Sequence, residues 1–228
     1  DSLRQDFYFF ENNFSGVRPF EMAIVLKDTT KSIYDKDVLK QLDKLEDYLK
    51  HDYGVGFILS PVGVVKSMNK AFNGGYPENY KLPGDSAQLT EVVSTIRNYR
   101  KKNELKALIS KDERECRIAG KMHDIGSAQV RILDDKLAGF FKSEMNTMLF
   151  DYKLTGTAVM IDTNNEYLVY NMLQGLMVSI FVVSLIIALI YRSFKIVVIS
   201  LIPNVIPIIM MGGITVSYTH LRAHETKA

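Results

Sequence analysis

Short apolar runs bounded by polar residues mark the strands in the first 160 residues of the chain. Residues 20–26, 54–59 and 152–155 are such runs, and each predicts a β-strand. Residues 105–109 and 115–122 flank a polar turn and predict a β-hairpin. The sequence therefore predicts a small sheet in this part of the chain.

Between these runs, apolar residues recur every three or four positions, which predicts amphipathic helices. The first helix follows Asp35 or Asp37, and the second follows Ser60, each a residue type that favours the N-cap. Two further helices follow Ser86 and Ser127. The predicted inward positions are, in chain order, Val38, Leu42, Leu45 and Leu49; Val62, Val65, Met68 and Phe72; Leu89, Val92, Val93 and Ile96; and Val130, Leu133, Leu137, Phe140, Phe141, Met145 and Met148.

The order of elements is strand, helix, strand, helical insertion, hairpin, helix and strand. This order predicts an α+β module of the split β-α-β, ferredoxin-like type, with a helical insertion, over residues 1–157. Gly156 ends the last strand, and a helix over residues 158–191 follows without a flexible linker. Movement of this helix is therefore expected to move the module.

The pattern becomes continuously apolar after Glu166. The 25 residues between Glu166 and Arg192 include no Asp, Glu, Lys or Arg, and a second apolar run of 19 residues covers 196–214. A transmembrane helix needs about 20 mainly apolar residues. Because only the turn 192–195 separates the runs, they predict an all-α transmembrane helical hairpin. The alternative is a pair of buried core helices in a soluble domain.

Arg192 and Lys195 favour a cytoplasmic turn, which places residues 1–166 on the extracytoplasmic side. No signal peptide opens the chain, so we expect a span upstream and interpret the chain as a fragment. Residues 215–228 are expected to be an artefact, because residues 216–226 resemble the translation of a common sequencing adapter. The alternative is a genuine amphipathic tail.

Composition and charge exclude several classes of protein. The 228 residues are 47% apolar and 24% charged, with 14 Gly, 6 Pro and 1 Cys, which excludes collagen-like, disordered and disulfide-stapled proteins. Residues 1–166 hold 24 Lys or Arg against 25 Asp or Glu, so no basic surface indicates nucleic-acid binding. The single cysteine, Cys116, is interpreted as a small buried apolar residue, and the alternative is a reactive thiol.

The sequence contains no catalytic motif that we recognise. It has no glycine-rich phosphate loop, no CxxC and no HExxH. Two adjacent carboxylate pairs, Glu46-Asp47 and Asp134-Asp135, lie by helical period on exposed faces and are interpreted as solvated. We therefore predict no enzymatic activity, no cofactor and no metal site.

Polar and helix-breaking residues interrupt the second apolar run. Pro203 and Pro207 leave backbone groups that neighbouring helices must satisfy in lipid, and Asn204 between them is expected to face other helices. Gly212 and Gly213 allow close helix approach. Two helices alone cannot meet these needs, so the sequence predicts additional membrane helices. The alternative is a helix that begins near Pro203 after a hydrated loop.

Three short motifs follow one another in a specific order and spacing: Leu154-Thr155-Gly156, Arg192-Ser193, and Pro203-Asn204 with Pro207. Together they resemble the resistance-nodulation-division (RND) superfamily, in its MMPL-type branch of hydrophobe and amphiphile exporters. The resemblance covers nearly all of residues 1–214. We expect Thr155, Gly156, Arg192 and Ser193 to be family-motif positions. The same expectation, as family-motif or helix-packing positions, covers the polar and helix-breaking residues of the second run: Pro203, Asn204, Pro207, Gly212 and Gly213.

The resemblance implies a multi-pass transporter of a bacterial inner membrane that exports lipids or other amphiphiles and is driven by protons. Such transporters have two repeats, each with one span, a porter module and five further spans. The Pro-Asn-x-x-Pro pattern is more similar to the second repeat, so the two runs would be spans eight and nine of twelve. The implied partners are membrane lipids, the remaining helices, a second porter module and the amphiphilic substrate.

The two apolar runs contain no Asp, Glu, Lys, Arg or His, so no proton-relay residue is assigned in them. Two alternatives remain at this point. One is an accessory component of protein export, similar to the SecD/SecF branch of the same superfamily. The other is a membrane-tethered binding or sensor module that has only this helical hairpin.

Overall fold

The computed structural model describes residues 2–100, 107–193, 195–203, 206, 207, 209, 210 and 213. The chain divides into two compact units, Asp1–Thr163 and Asn164–Ala228. The first unit holds the α/β elements. The second holds most of a long helix and the residues that follow it.

The described elements follow the predicted order, with one additional helix at the start. In chain order they are α1 (Ser2–Asn13), β1 (Arg18–Leu26), α2 (Lys36–Tyr48) with a π-helical turn (Leu49–Tyr53), β2 (Val55–Leu59), α3 (Pro61–Phe72), a short 3-10 helix (Pro77–Asn79), α4 (Ser86–Arg100), β3 (Glu115–Met122), α5 (Ser127–Glu144), β4 (Phe150–Thr155) and α6 (Thr157–Tyr191).

The four strands form one antiparallel sheet in the order β2-β3-β1-β4. Strand β3 lies between β1 and β2, and strand β1 lies between β3 and β4, so each β-α-β unit is split by a strand of the other. This strand order agrees with the predicted split β-α-β arrangement. Helices α3 and α4 form the insertion between β2 and β3.

Alternate residues of the central strand β1 build the core of the first unit. Phe20, Met22, Ile24 and Leu26 are buried, while the residues between them are partly or fully exposed. Most predicted inward positions of the helices are also buried or packed against this core. Phe72 and Met148 were predicted inward but are exposed, because Phe72 ends α3 and Met148 follows the end of α5.

The predicted hairpin is only partly present. Ile109 forms an isolated antiparallel bridge with Cys116, and residues 105 and 106 lie outside the described part of the chain. Strand β3 pairs with β1 on one edge, and on the other β2 already occupies the positions from Ala119 to Met122. Two backbone hydrogen bonds of 2.8 Å accompany the bridge: the Ser110 N–H donates to the Glu115 carbonyl, and the Arg117 N–H donates to the Leu108 carbonyl.

Helix α6 has 35 residues and is the one helix among the described residues that is long and apolar enough to cross a membrane. Arg192 follows it in a left-handed conformation, with φ of 48°. Residues 195–203 of the second apolar run are again helical. The full length of the second predicted span includes residues outside the described ranges, so the hairpin as a whole stays a prediction.

Candidate functional site

Thr155 and Gly156 join the sheet to α6. Thr155 ends β4 opposite Glu21 of β1, and Gly156 follows with a φ of 91°. A Cβ added at Gly156 would lie 2.7–2.9 Å from three carbon atoms of the Glu21 side chain. The left-handed backbone and the close approach both require glycine, so this motif position has a structural role in the turn.

The other predicted motif residues lie in the second unit. The Arg192 N–H donates to the carbonyl of Ala188 at 2.9 Å, and the Ser193 carbonyl accepts from the Val197 N–H at 3.4 Å, so these two residues form the turn between helical segments. Pro203, Pro207 and Gly213 are in helical conformation. Asn204 and Gly212 lie outside the described residues, so the predicted packing role of this set stays a prediction.

An apolar groove of about 410 Å³ lies between the edge strand β2 and helix α3. Phe57 and Leu59 of β2 are exposed at this groove, and Tyr80 lies across it from the strand. This volume is in the range of about 300–1,000 Å³ that small-molecule sites occupy. Its lining residues are Phe57, Ile58, Leu59, Ser60, Gly63, Val64, Ser67, Met68, Ala71 and Tyr80.

A buried polar cluster lies at one end of the groove. The Ser60 hydroxyl accepts the Gly63 N–H at 2.9 Å as the N-cap of α3, and it donates to Glu46 at 2.6 Å. Lys50 donates to the second Glu46 oxygen at 2.9 Å. Glu46 is 1% exposed, so its predicted solvated position is wrong. The two bonds from Ser60 and Lys50 explain the difference, because a carboxylate can be buried when it is paired and hydrogen-bonded.

Polar contacts also fix the loop that carries Tyr80. The Lys66 ammonium pairs with Asp43 and lies 5.8 Å from the centre of the Tyr80 ring, within cation–π range. The Asn69 amide donates to the carbonyls of Asn79 and Lys81 at 3.1 and 2.9 Å. These contacts attach the loop that carries Tyr80 to helix α3.

The second carboxylate pair is also less exposed than predicted. Asp134 on α5 is half-buried and accepts a hydrogen bond of 2.6 Å from the Tyr53 hydroxyl. Desolvation raises the pKa of Asp134 above its ordinary value, although the bond from Tyr53 offsets part of this rise. Its neighbour Asp135 is exposed, as predicted. Of this pair, Asp135 is therefore solvated as predicted, whereas Asp134 is partly shielded from water.

A polar contact joins the start of α6 to the sheet. The Arg18 guanidinium donates to Asp162 of α6, and the Ser127 hydroxyl donates to the other Asp162 oxygen at 2.9 Å. Arg18 also lies 3.9 Å from Asp124. Sequence reasoning missed this contact, because Arg18 and Asp162 are 144 positions apart and neither belongs to a recognisable motif.

Two observations concern metal binding and nucleophilic chemistry by the described residues. No group of three or more His, Cys, Asp and Glu side chains among them could hold a metal ion. Cys116 is buried in the sheet, as predicted, and burial raises the pKa of its thiol to about 12. A thiol with this pKa is protonated at neutral pH and is a poor nucleophile.

A comparison with family models matches residues 14–226 to the MMPL family. No curated protein matches the chain significantly. The matched range extends into residues 215–226, and the interpretation of that tail as an artefact stays a prediction. Since the match covers more than nine-tenths of the chain, the chain belongs to the MMPL family of RND-type membrane transporters.

Proposed function

We propose that this chain contributes a porter module and a membrane helical hairpin to a proton-driven exporter of lipids or other amphiphiles in a bacterial inner membrane. Its membership of the MMPL family carries the proposal. That membership does not favour the protein-export or tethered-sensor alternatives. In this role the first unit contacts the substrate outside the cytoplasm, and α6 lies in the bilayer.

The exposed apolar surface of α6 supports the proposal that this helix lies in a lipid bilayer. In its described residues, Ala158 near the start is the only buried position, and the long apolar stretch exposes large side chains such as Phe181 and Leu189. Such a surface is unstable in water but is stable in a bilayer or against other membrane helices. Tyr167 and Tyr170 lie before this stretch, where aromatic residues favour the membrane interface.

The groove beside β2 supports an amphiphilic substrate. Its walls are apolar and include Phe57, Leu59 and Met68, whereas Ser60 and the Tyr80 loop are polar. An alkyl chain would gain about 25 cal/mol for each Å² of apolar surface removed from water. Ser67 and Tyr80, which also line the groove, offer hydroxyl groups to a headgroup. This combination fits one molecule with an apolar and a polar part.

Binding of a fluorescent fatty acid tests the groove. We expect cis-parinaric acid to bind the full chain in lipid nanodiscs, and Ala71→Trp to weaken this binding about tenfold by filling the groove, a loss of about 1.4 kcal/mol. Ile132→Trp is the matched control, because Ile132 is an exposed residue of α5 that does not line the groove. If both variants bound the probe equally well, the groove would not be the site at which the substrate binds.

Export itself is tested in the complete transporter that carries this chain, reconstituted in liposomes. We expect a proton gradient to drive movement of the same probe, and an uncoupler to stop it. Movement that is unaffected by the uncoupler would contradict the proton-driven mechanism. A lack of any movement would contradict export of this class of substrate.

A further inference from the structure

The first turns of α6 have few apolar contacts with the module. Among residues 157–163, Ala158 alone is buried, and Met160 and Ile161 are exposed. Apolar packing therefore contributes little to holding this part of the helix in place. The polar contact of Asp162 with Arg18 and Ser127 is therefore a main attachment of this part of the helix, together with the Gly156 turn.

This polar contact is shielded from water. Arg18 is on the central strand, and its side chain is 12% exposed, while that of Asp162 is 23% exposed. Ion pairs at such positions are less screened by salt than surface pairs. The Ser127 hydroxyl occupies the second Asp162 oxygen, so the carboxylate is fixed in orientation. We call Arg18, Asp162 and Ser127 the clasp.

The geometry of the chain explains why the clasp forms. Thr155 lies opposite Glu21 in the sheet, and Gly156 is held against the Glu21 side chain. Six helical residues from Gly156 to Asp162 advance about 9 Å, at 1.5 Å per residue. Three strand residues from Glu21 back to Arg18 cover about 10 Å. The two lengths agree, so α6 is attached to β1 at two points, the Gly156 turn and the clasp.

We propose that Arg18 is a positioning residue that makes the first turns of α6 and the sheet move as one body during transport. This role rests on the proposed function, because it requires a helix that moves in the membrane. Without the clasp, α6 could shift while only the Gly156 turn followed it. Loss of the clasp should therefore leave substrate binding intact and reduce the turnover of export.

Hydrogen exchange of the full chain in lipid nanodiscs tests whether the clasp holds the helix. We expect Arg18→Gln and Asp162→Asn to speed exchange of the amides at 160–163 about tenfold, while exchange of β1 amides stays unchanged. Lys44→Gln is the matched control, because Lys44 forms a more exposed pair with Glu144 that involves neither Glu21 nor the clasp. Unchanged exchange at 160–163 in both clasp variants would overturn the proposal.

Transport kinetics of the complete reconstituted transporter test the positioning role. With cis-parinaric acid as probe, we expect Arg18→Gln to lower the maximal export rate about fivefold at an unchanged half-saturating concentration. Arg18→Lys, which keeps the charge, should restore part of the rate. Export at the wild-type rate in Arg18→Gln would overturn the role of the clasp and leave the proposed function standing. A wild-type transporter that exports nothing would overturn the proposed function instead.

Discussion

Gly156 is the single residue at which the sheet passes into α6. Replacing it with alanine places a Cβ against Glu21 and forces an L-residue into a left-handed conformation. We expect Gly156→Ala to lower the free energy of unfolding by about 2 kcal/mol, measured by urea titration with pulse proteolysis.

Gly139→Ala provides the matched control for this substitution. Gly139 lies inside α5, and a Cβ there would meet nothing within 4 Å. Alanine is favoured over glycine in a helix by about 1 kcal/mol, so this variant should be neutral or more stable. Equal effects of the two substitutions would show that the turn does not require glycine.

The burial of Asp134 is expected to make the free energy of unfolding of the module depend on pH. Its pKa in the folded protein is raised above the ordinary value of 3.8, so the folded state binds the proton more tightly than the unfolded state. The stability gained from protonation is therefore fully present below the unfolded pKa and is lost as the pH rises through the folded pKa.

The variant Asp134→Asn should remove this dependence. We expect the free energy of unfolding of the wild type, minus that of Asp134→Asn, to increase as the pH falls from 7 toward 4. Asp135→Asn, which changes the adjacent exposed carboxylate, is the control for the loss of one charge. A difference that is independent of pH would contradict the role of burial at Asp134.

At the scale of elements, Ser60 joins α3 to the buried carboxylate of α2. Ser60→Ala removes the N-cap bond and leaves Glu46 without one of its donors. The expected loss is about 2–3 kcal/mol of unfolding free energy, about 1 kcal/mol for the cap and the rest for the buried acceptor. Ser94→Ala on α4, where the hydroxyl bonds only a backbone carbonyl of its own helix, should be close to neutral.

Local sequence patterns predicted most elements because their causes are local. Ser60 before Pro61 marked the start of α3, and the apolar run of residues 20–26 marked β1. The burial of Glu46 was missed, because it depends on donors from Ser60 and Lys50 that meet only after folding. The first arm of the predicted hairpin forms a bridge at Ile109, and residues 105 and 106 of that arm lie outside the described part of the chain.

At the scale of the whole molecule, the length and apolarity of residues 167–191 predicted a membrane helix without any knowledge of the fold. The family match agrees with that prediction at the level of a membrane transporter. The clasp could not be predicted, because Arg18, Ser127 and Asp162 are far apart in sequence. The groove was missed because it depends on how β2, α3 and Tyr80 pack after folding. The split β-α-β type of the module, by contrast, was predicted from the order of its elements.

The measurement that tests the central claim most directly is the membrane topology of this chain within the complete transporter, in intact bacterial cells. Cysteines are introduced by Met148→Cys in the exposed part of the module and by Lys195→Cys in the turn after α6, each in a transporter that carries Cys116→Ser and no other cysteine. A membrane-impermeant maleimide should label Met148→Cys in intact cells and Lys195→Cys only after permeabilisation. Labelling in the reverse order, or recovery of the chain in the soluble fraction, would contradict the account.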